Sequence, residues 1–253
     1  RIILAVNSVR VGGRDMRITG SLGIALSPEH GQSAPPLVNM AEIAMRYAKQ
    51  AGRNGHTLFA EWMNDNAEQD RRLLEDLRKA IGGPQLSLHY QPRVHAETGR
   101  ISGAEALIRW RHPEHGYVPS ERIIRLTELN GLMETLGNWV LNEACRQMRS
   151  WHDAGNTEWS ISVNLSGRQL GSPKLLDEVR SALELHELPP SRLILEVSES
   201  AVMRDADNAI NVLRSVAALG VGISIDDFGT GFSSLLHLKR VPATEIKIDR
   251  AFV

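Results

Sequence analysis

Six short apolar segments separated by helix-like stretches occupy the chain from Leu86 onward, at residues 86–94, 101–110, 159–165, 192–198, 220–226 and 244–249. The intervening segments include Ile123–Ser150, Pro173–His186 and Ala206–Leu219, which read as helices. Strand and helix repeating in turn predict an α/β fold with a parallel sheet, either doubly wound or closed into a barrel. No glycine-rich phosphate fingerprint follows the first strand, which counts against a dinucleotide-binding sheet.

The polar residues in this pattern fall at its strand ends. Glu105 lies within the second strand, Asn164 ends the third, and Glu196 with Glu199 ends the fourth. Asp226 and Asp227 end the fifth; Lys247 and Asp249 end the sixth. A single strand-end acid is most simply a helix cap. Five consecutive strands delivering such groups are harder to explain by capping, because the C-terminal strand ends of a parallel barrel converge on one mouth. Converging carboxylates repel one another unless a cation neutralises them. Oxygen ligands without His or Cys suit Mg2+ or Mn2+ rather than Zn2+, with phosphate chemistry the leading use.

The rest of the chain supplies no competing chemistry. Lys and Arg number 29 against 30 Asp and Glu, so a net charge of −1 argues against bulk binding to nucleic-acid polymers or to an anionic membrane. No apolar run is long enough to span a bilayer, and the lone Cys145 fits a reducing cytoplasm. Cys145 sits between apolar helix positions with no paired His and reads as core. His112-Pro113-Glu114-His115 reads as a turn, not a metal-bearing helix. Residues 1–60 read as the tail of an α+β unit, with a strand-like stretch over 16–26, a helix carrying Leu37, Met40, Ala41, Ala44, Met45 and Ala48, and a short strand near Thr57–Ala60. Residues 61–84 read as a connecting helix and linker with a thin apolar stripe. The chain begins with Arg1, as an excised piece of a longer protein would.

Several motifs resemble those of the EAL-domain cyclic di-GMP phosphodiesterases. They are Tyr90-Gln91-Pro92, Glu105-Ala106-Leu107-Ile108-Arg109-Trp110, Val163-Asn164-Leu165-Ser166, Glu196-Val197-Ser198-Glu199, the run from Asp226-Asp227-Phe228-Gly229 to Leu235, and Lys247-Ile248-Asp249-Arg250. The resemblance covers the segment 85–253. It implies a TIM-like barrel of EAL type that hydrolyses cyclic di-GMP to linear pGpG with two Mg2+ or Mn2+ ions. On it, Glu105, Asn164, Glu196 and Asp226 ligate the first metal, and Asp226 bridges to a second that Asp227 also holds. Lys247 contacts the attacking water, so Lys247, Asp227 and Glu105 form the catalytic set. Gln91, Leu107, Arg109 and Asp249 bind the dinucleotide. Glu199 anchors the loop 227–234. A homodimer through this domain is an assembly the resemblance allows.

Residues 1–60 resemble the closing third of a GGDEF diguanylate cyclase domain. The matching segments are Ser21-Leu22-Gly23-Ile24-Ala25, Ala41-Glu42-Ile43-Ala44-Met45 and Ala48 to Asn54. By that resemblance Lys49 and Arg53 face nucleotide phosphates, but the signature loop is absent and no cyclase activity is expected. In the barrel, Ile123-Ile124-Arg125 stands where the family carries Phe-Ile-Pro, a change expected to matter for packing alone. Residues 86–253 supply six strands where a complete barrel has eight. The domain therefore reads as C-terminally incomplete, the second metal site as incomplete, and the isolated chain as inactive. The rival reading is a receptor that binds cyclic di-GMP without cutting it.

Overall fold

Alternation of side chains along a strand fixes which residues face a core, and the sheet of the second of this protein's two units follows it, with Ile161, Val163 and Leu165, or Leu193, Leu195 and Val197, in the core. The computed structural model describes residues 9–11, 14–16, 19–52, 54–229 and 239–252, and the chain divides into two units, Arg1–Glu75 and Asp76–Val253. In the first unit, β1 (Val9–Val11) pairs antiparallel with β2 (Arg14–Met16). Strand β3 (Leu22–Ile24) runs into helix α1 (Ala34–Gln50) and returns as β4 (His56–Leu58), which pairs parallel with β3. Pro35 and Pro36 occupy the first turn of α1, where a missing N–H costs nothing and the fixed φ suits the helix. Gly23 is required on β3, since a Cβ there would fall 1.8 Å from the carbonyl oxygen of Ala41 on α1. Ile43 and Ala44 of α1 bury against Phe59 and Met63. Of the strand expected over 16–26, residues 17 and 18 lie outside the described residues; among the described ones, Met16 at the end of β2 and 22–24 are paired as strand. Arg53 lies outside the described residues. Helix α2 (Glu61–Ala80) spans the division between the units.

The second unit is built on one sheet of seven strands. They are β5 (Leu86–Val94), β6 (Ile101–His112), β7 (Gly116–Val118), β8 (Ser160–Leu165), β9 (Leu193–Ser198), β10 (Gly222–Phe228) and β11 (Glu245–Ile248). Their order is β11-β10-β9-β8-β6-β5, with β7 also on β6. From β6 to β11 the pairs are parallel, as the strand–helix repetition predicts. Strand β5 corrects that expectation. It is joined to β6 by a short turn over 95–100, which permits only antiparallel pairing. The turn expected at His112–His115 makes the hairpin from β6 to β7. There the His112 Nδ1 accepts from the N–H groups of Glu114 and His115, leaving Nε2 to donate to Asp76.

The helices are α3 (Ser120–Leu129), α4 (Met133–Asp153), α5 (Gly167–Leu170), α6 (Leu175–Leu185), α7 (Glu199–Met203) and α8 (Ala206–Ala218). The single helix expected over Ile123–Ser150 is two. Gly131 takes a left-handed φ of 70°, and the chain turns there. The core lies between the sheet and these helices. Ile161, Val163, Leu193, Leu195, Val197, Ile223 and Ile225 pack against Cys145 and Met148 of α4, Val179 of α6 and Leu213 of α8. Cys145 is fully buried, and burial pushes its thiol up to about 12, so it is core. Among the described residues no helix is long and apolar enough to cross a membrane.

The sheet is strongly curled. Strands β6 and β11 are four intervals apart, roughly 19 Å in a flat sheet. Yet Lys247 Nζ on β11 lies 2.9 Å from Glu105 Oε2 on β6. The residues alternating with the apolar core therefore line a concave interior, and that interior is polar.

Candidate active site

Strict alternation puts Glu105, Asn164, Glu196, Asp226 and Lys247 on the concave face. Asn164 pairs in register with Glu196, and Asp226 with Ser198 one step beyond. Lys247 Nζ is the point on which the acids converge, at 2.9 Å from Glu105, 2.7 Å from Glu196 and 3.6 Å from Asp226. Asn164 Nδ2 donates to the other oxygen of Glu105 at 2.8 Å. Asp227 takes a left-handed φ of 55°, and the pairing of β10 with β11 shifts register between Ile225 and Phe228. That bulge lets two consecutive acids line one cavity, which a regular strand forbids. The Asp226 side chain accepts the Asp227 N–H at 2.9 Å and braces the bend.

The charges hold one another. Burial alone favours neutral forms of these groups. For Lys247 the bonds to Glu196 and Glu105 outweigh burial and raise it above the ordinary lysine value. For Glu105 burial is likewise outweighed, by Lys247 and Asn164, and the carboxyl is lowered. Burial wins at Glu196, whose side chain has no exposed surface, and its carboxyl is raised. Asp227 is raised by burial and then by repulsion from Asp226 and Asp249.

Beside this cluster opens a cavity of about 660 Å³. Asn164, Glu196, Asp226, Asp227 and Leu107 line it. Gln91, Glu105, Arg109, Lys247 and Asp249 do not. Gln91 sits opposite Glu105 on β5, on the same concave face. Arg109 Nη1 is turned to the carbonyl oxygen of Ile108 and to Ser120 Oγ. Asp249 Oδ1 accepts the N–H of Ala251 and caps the turn of 3-10 helix at 250–252. Ser198 caps α7 and so sets Glu199 in its first turn, where the buried carboxylate accepts the Gly229 N–H at 2.9 Å. The rest of the loop, 230–238, lies outside the described residues.

Sequence reasoning missed the wall that α3 and α4 build. Glu121, Ile124, Arg125 and Glu128 line the cavity from α3, and Arg204 from the end of α7. Their helical spacing gives no hint of a ligand. Of the two positions that depart from the family pattern, Ile123 is buried and Arg125 lines the cavity beside the unchanged Ile124.

A concave, mostly parallel sheet whose C-terminal strand ends converge as acids, beside a cavity, is the arrangement of a barrel-type domain rather than a nucleotide-binding sheet. Residues 74–253 match the family described as the EAL domain, and the chain belongs to that family. Over 244 residues it is 52% identical to the bifunctional diguanylate cyclase/cyclic di-GMP phosphodiesterase MucR of Pseudomonas aeruginosa, covering 96% of this chain and 36% of MucR. Over 245 residues it is 41% identical to the cyclic di-GMP phosphodiesterase NbdA of the same organism, covering 97% and 31%. The chain thus spans about a third of the length of these curated relatives. Among solved structures it is similar to the PaMucR phosphodiesterase in complex with c-di-GMP, with a TM-score of 0.69 and 56% identity over 72% of this chain and 73% of that one. The FimX EAL domain of Xanthomonas citri in complex with c-diGMP follows with a TM-score of 0.66 and 26% identity, over 74% and 73%.

Among the described residues no group of three or more His, Cys, Asp and Glu forms a ready metal cage. The donor set nonetheless fits a hard cation. It is all oxygen, it already gathers around one positive charge, and Glu196 Oε1 is buried with no hydrogen bond among the described residues. A buried bare carboxylate oxygen is what a cation would satisfy.

Proposed function

We propose that this chain carries the catalytic part of a cyclic di-GMP phosphodiesterase that opens the cyclic dinucleotide to linear pGpG with Mg2+ or Mn2+. The observation that carries the reading is the convergence of Glu105, Glu196 and Asp226 on one cationic point at the sheet's mouth. MucR and NbdA, named for this reaction, and the c-di-GMP complex of PaMucR support it. Glu105, Asn164, Glu196 and Asp226 would hold one cation, and Asp226 with Asp227 a second. Bound there, the ions would lower the pKa of a shared water and neutralise charge on the phosphoryl oxygens.

The chain's own residues do the positioning. Lys247 donates from Nζ to hold the attacking water's oxygen, and Asn164 keeps the Glu105 carboxylate oriented. Gln91, Leu107, Arg109 and Asp249 hold the dinucleotide, Arg109 by turning from Ser120 to a phosphate. Glu199 keeps the Asp227–Gly229 bend in place by accepting the Gly229 N–H. For the first unit we propose the closing part of a GGDEF-like domain without cyclase activity, a reading supported by the parallel β3–α1–β4 unit.

The test is separation of pGpG from cyclic di-GMP after incubation with the full-length protein and Mn2+. Turnover is expected, and Glu105→Ala should lower it at least about 10²-fold, the scale for losing a group that organises transition-state charge. Undiminished turnover in Glu105→Ala rejects the ligand set. Calorimetric binding of the dinucleotide with no turnover in the unmutated protein instead makes the domain a receptor.

A further inference from the structure

On the concave face, below the acids that surround Lys247, lies a second set of polar contacts that the reaction does not use. Arg93 on β5 shares this face with Gln91, because the two are two residues apart on one strand. Its register partner is Gly103, where a Cβ would fall 2.0 Å from the carbonyl oxygen of Ser160. No side chain occupies the floor opposite Arg93, and the guanidinium crosses it. Nη2 donates to Ser160 Oγ at 2.5 Å on β8, and Nη1 to Glu245 Oε2 at 3.1 Å on β11. The other oxygen of Glu245 accepts from Ser224 Oγ on β10 at 3.4 Å.

Strands β5 and β11 are the two ends of the sheet path, five intervals or roughly 24 Å apart if flat. The Arg93–Glu245 pair therefore joins the ends across the interior. Strand β11 is four residues long and its ladder with β10 shifts register partway, so a side-chain tie across the interior adds to what that ladder fixes. Glu245 and Lys247 are two residues apart and point the same way, so whatever pins Glu245 also aims Lys247.

We propose that Arg93, through its ion pair with Glu245, is a positioning residue that holds β11 so that Lys247 Nζ reaches Glu105 and Glu196. The inference rests on the phosphodiesterase reading for its kinetic consequence, but the placement of Lys247 can be observed without turnover. Arg93 touches no proposed metal ligand and does not line the cavity. Its loss should therefore leave dinucleotide binding intact while misplacing the group that holds the water. A misplacement of about 1 Å can cost roughly a hundredfold in rate.

The experiment uses the full-length protein with Arg93→Ala, Arg93→Lys and the exchanged pair Arg93→Glu with Glu245→Arg, each also in a Lys247→Met background. Arg93→Ala should lower kcat by about 10-fold to 10²-fold with KM within about twofold, Arg93→Lys less, and the exchange should recover much of the loss. In the Lys247→Met background the same changes should have little further effect, because residues acting as a unit are not additive. The NMR shift of the Lys247 ε-methylene, in metal-free protein without substrate, should move in Arg93→Ala and return in the exchanged pair. If the unmutated protein does not hydrolyse cyclic di-GMP, the phosphodiesterase reading fails and the methylene shift alone judges the clasp. An unmoved shift in folded Arg93→Ala overturns the proposal. So does an equal loss of kcat in the Lys247→Met background. Where Arg93→Ala does not fold, the Arg93→Lys and exchanged variants decide by the same readouts.

Discussion

Two clusters of acids and bases, built from the same residue types, show what position does to charge. On α2, Glu68 and Glu75 pair with Arg71 and Arg72 at 2.9–3.2 Å, one helical turn apart on an exposed face. On the concave sheet, Glu105, Glu196 and Asp226 surround Lys247 at 2.7–3.6 Å, brought together from four strands. The distances match, but the settings do not. The α2 side chains are about half exposed or more, whereas Glu196 shows none of its side chain to solvent. Exposed pairs in high dielectric are worth little, and removing either partner exposes the other to water. A half-buried cluster of three acids on one base cannot lose that base without leaving charge uncompensated. The first arrangement solubilises a helix. The second gathers partly buried carboxylates around one base, the arrangement on which the proposed cation site rests.

The largest effect that would break or sharpen this contrast is removal of the central base. Lys247→Ala in chelator-treated protein should lower stability by about 1–3 kcal/mol, the cost of stranding buried carboxylates, discounted because the lysine side chain is 27% exposed. Millimolar Mn2+ should recover part of the loss, since a ligand that binds only the folded state stabilises it. Chemical denaturation with and without metal measures both. Unchanged stability in Lys247→Ala would place the concave cluster with the surface pairs and remove the physical basis for a metal there.

How much of this was legible beforehand depended on whether the signal was periodic or geometric. The strand ends carrying Asn164, Glu196 and Asp226 follow from apolar runs flanked by polar residues, and alternation places them on one face. The convergence on Lys247 was not legible as a distance, because it depends on how far the sheet curls. The antiparallel β5 escaped the repetition rule, as its link to β6 is a tight turn and not a helix. Arg93 escaped too, being an unremarked cation mid-strand whose partner lies 152 residues away. The α3 wall of Glu121, Arg125 and Glu128 reads as an ordinary amphipathic helix until the cavity beside it is seen.

A smaller effect separates the clusters by salt. At about 1 M ionic strength the screening length falls to roughly 3 Å, which screens solvent-exposed charges strongly and buried ones much less. The stability difference between wild type and Arg71→Ala should vanish into experimental scatter on going from low salt to 1 M NaCl. The difference between wild type and Lys247→Ala should persist through the same titration. If both differences collapse together, the concave face is as wet as the helix and its acids owe nothing to burial.

The smallest effect lies on α2 alone and follows from proton linkage. Hydrogen bonds from Arg71 and then Arg72 hold the Glu68 carboxyl down at about 2. A depressed folded value means that the unfolded chain binds the proton first, so stability rises with pH between the two values. Glu68 therefore contributes fully above the ordinary glutamate value near 4.3 and loses its contribution as pH falls toward 2. Because the group is fully exposed, the change should be slight and should shrink further in salt. Far-ultraviolet circular dichroism of wild type and Glu68→Gln, titrated from pH 5 to 2 at low ionic strength, isolates it. The two curves should converge at the acid end, where wild-type Glu68 has become neutral like the glutamine. Curves separated by the same interval at every pH would mean that the substitution acts through helix propensity and that the Arg71 and Arg72 pairs contribute nothing to α2.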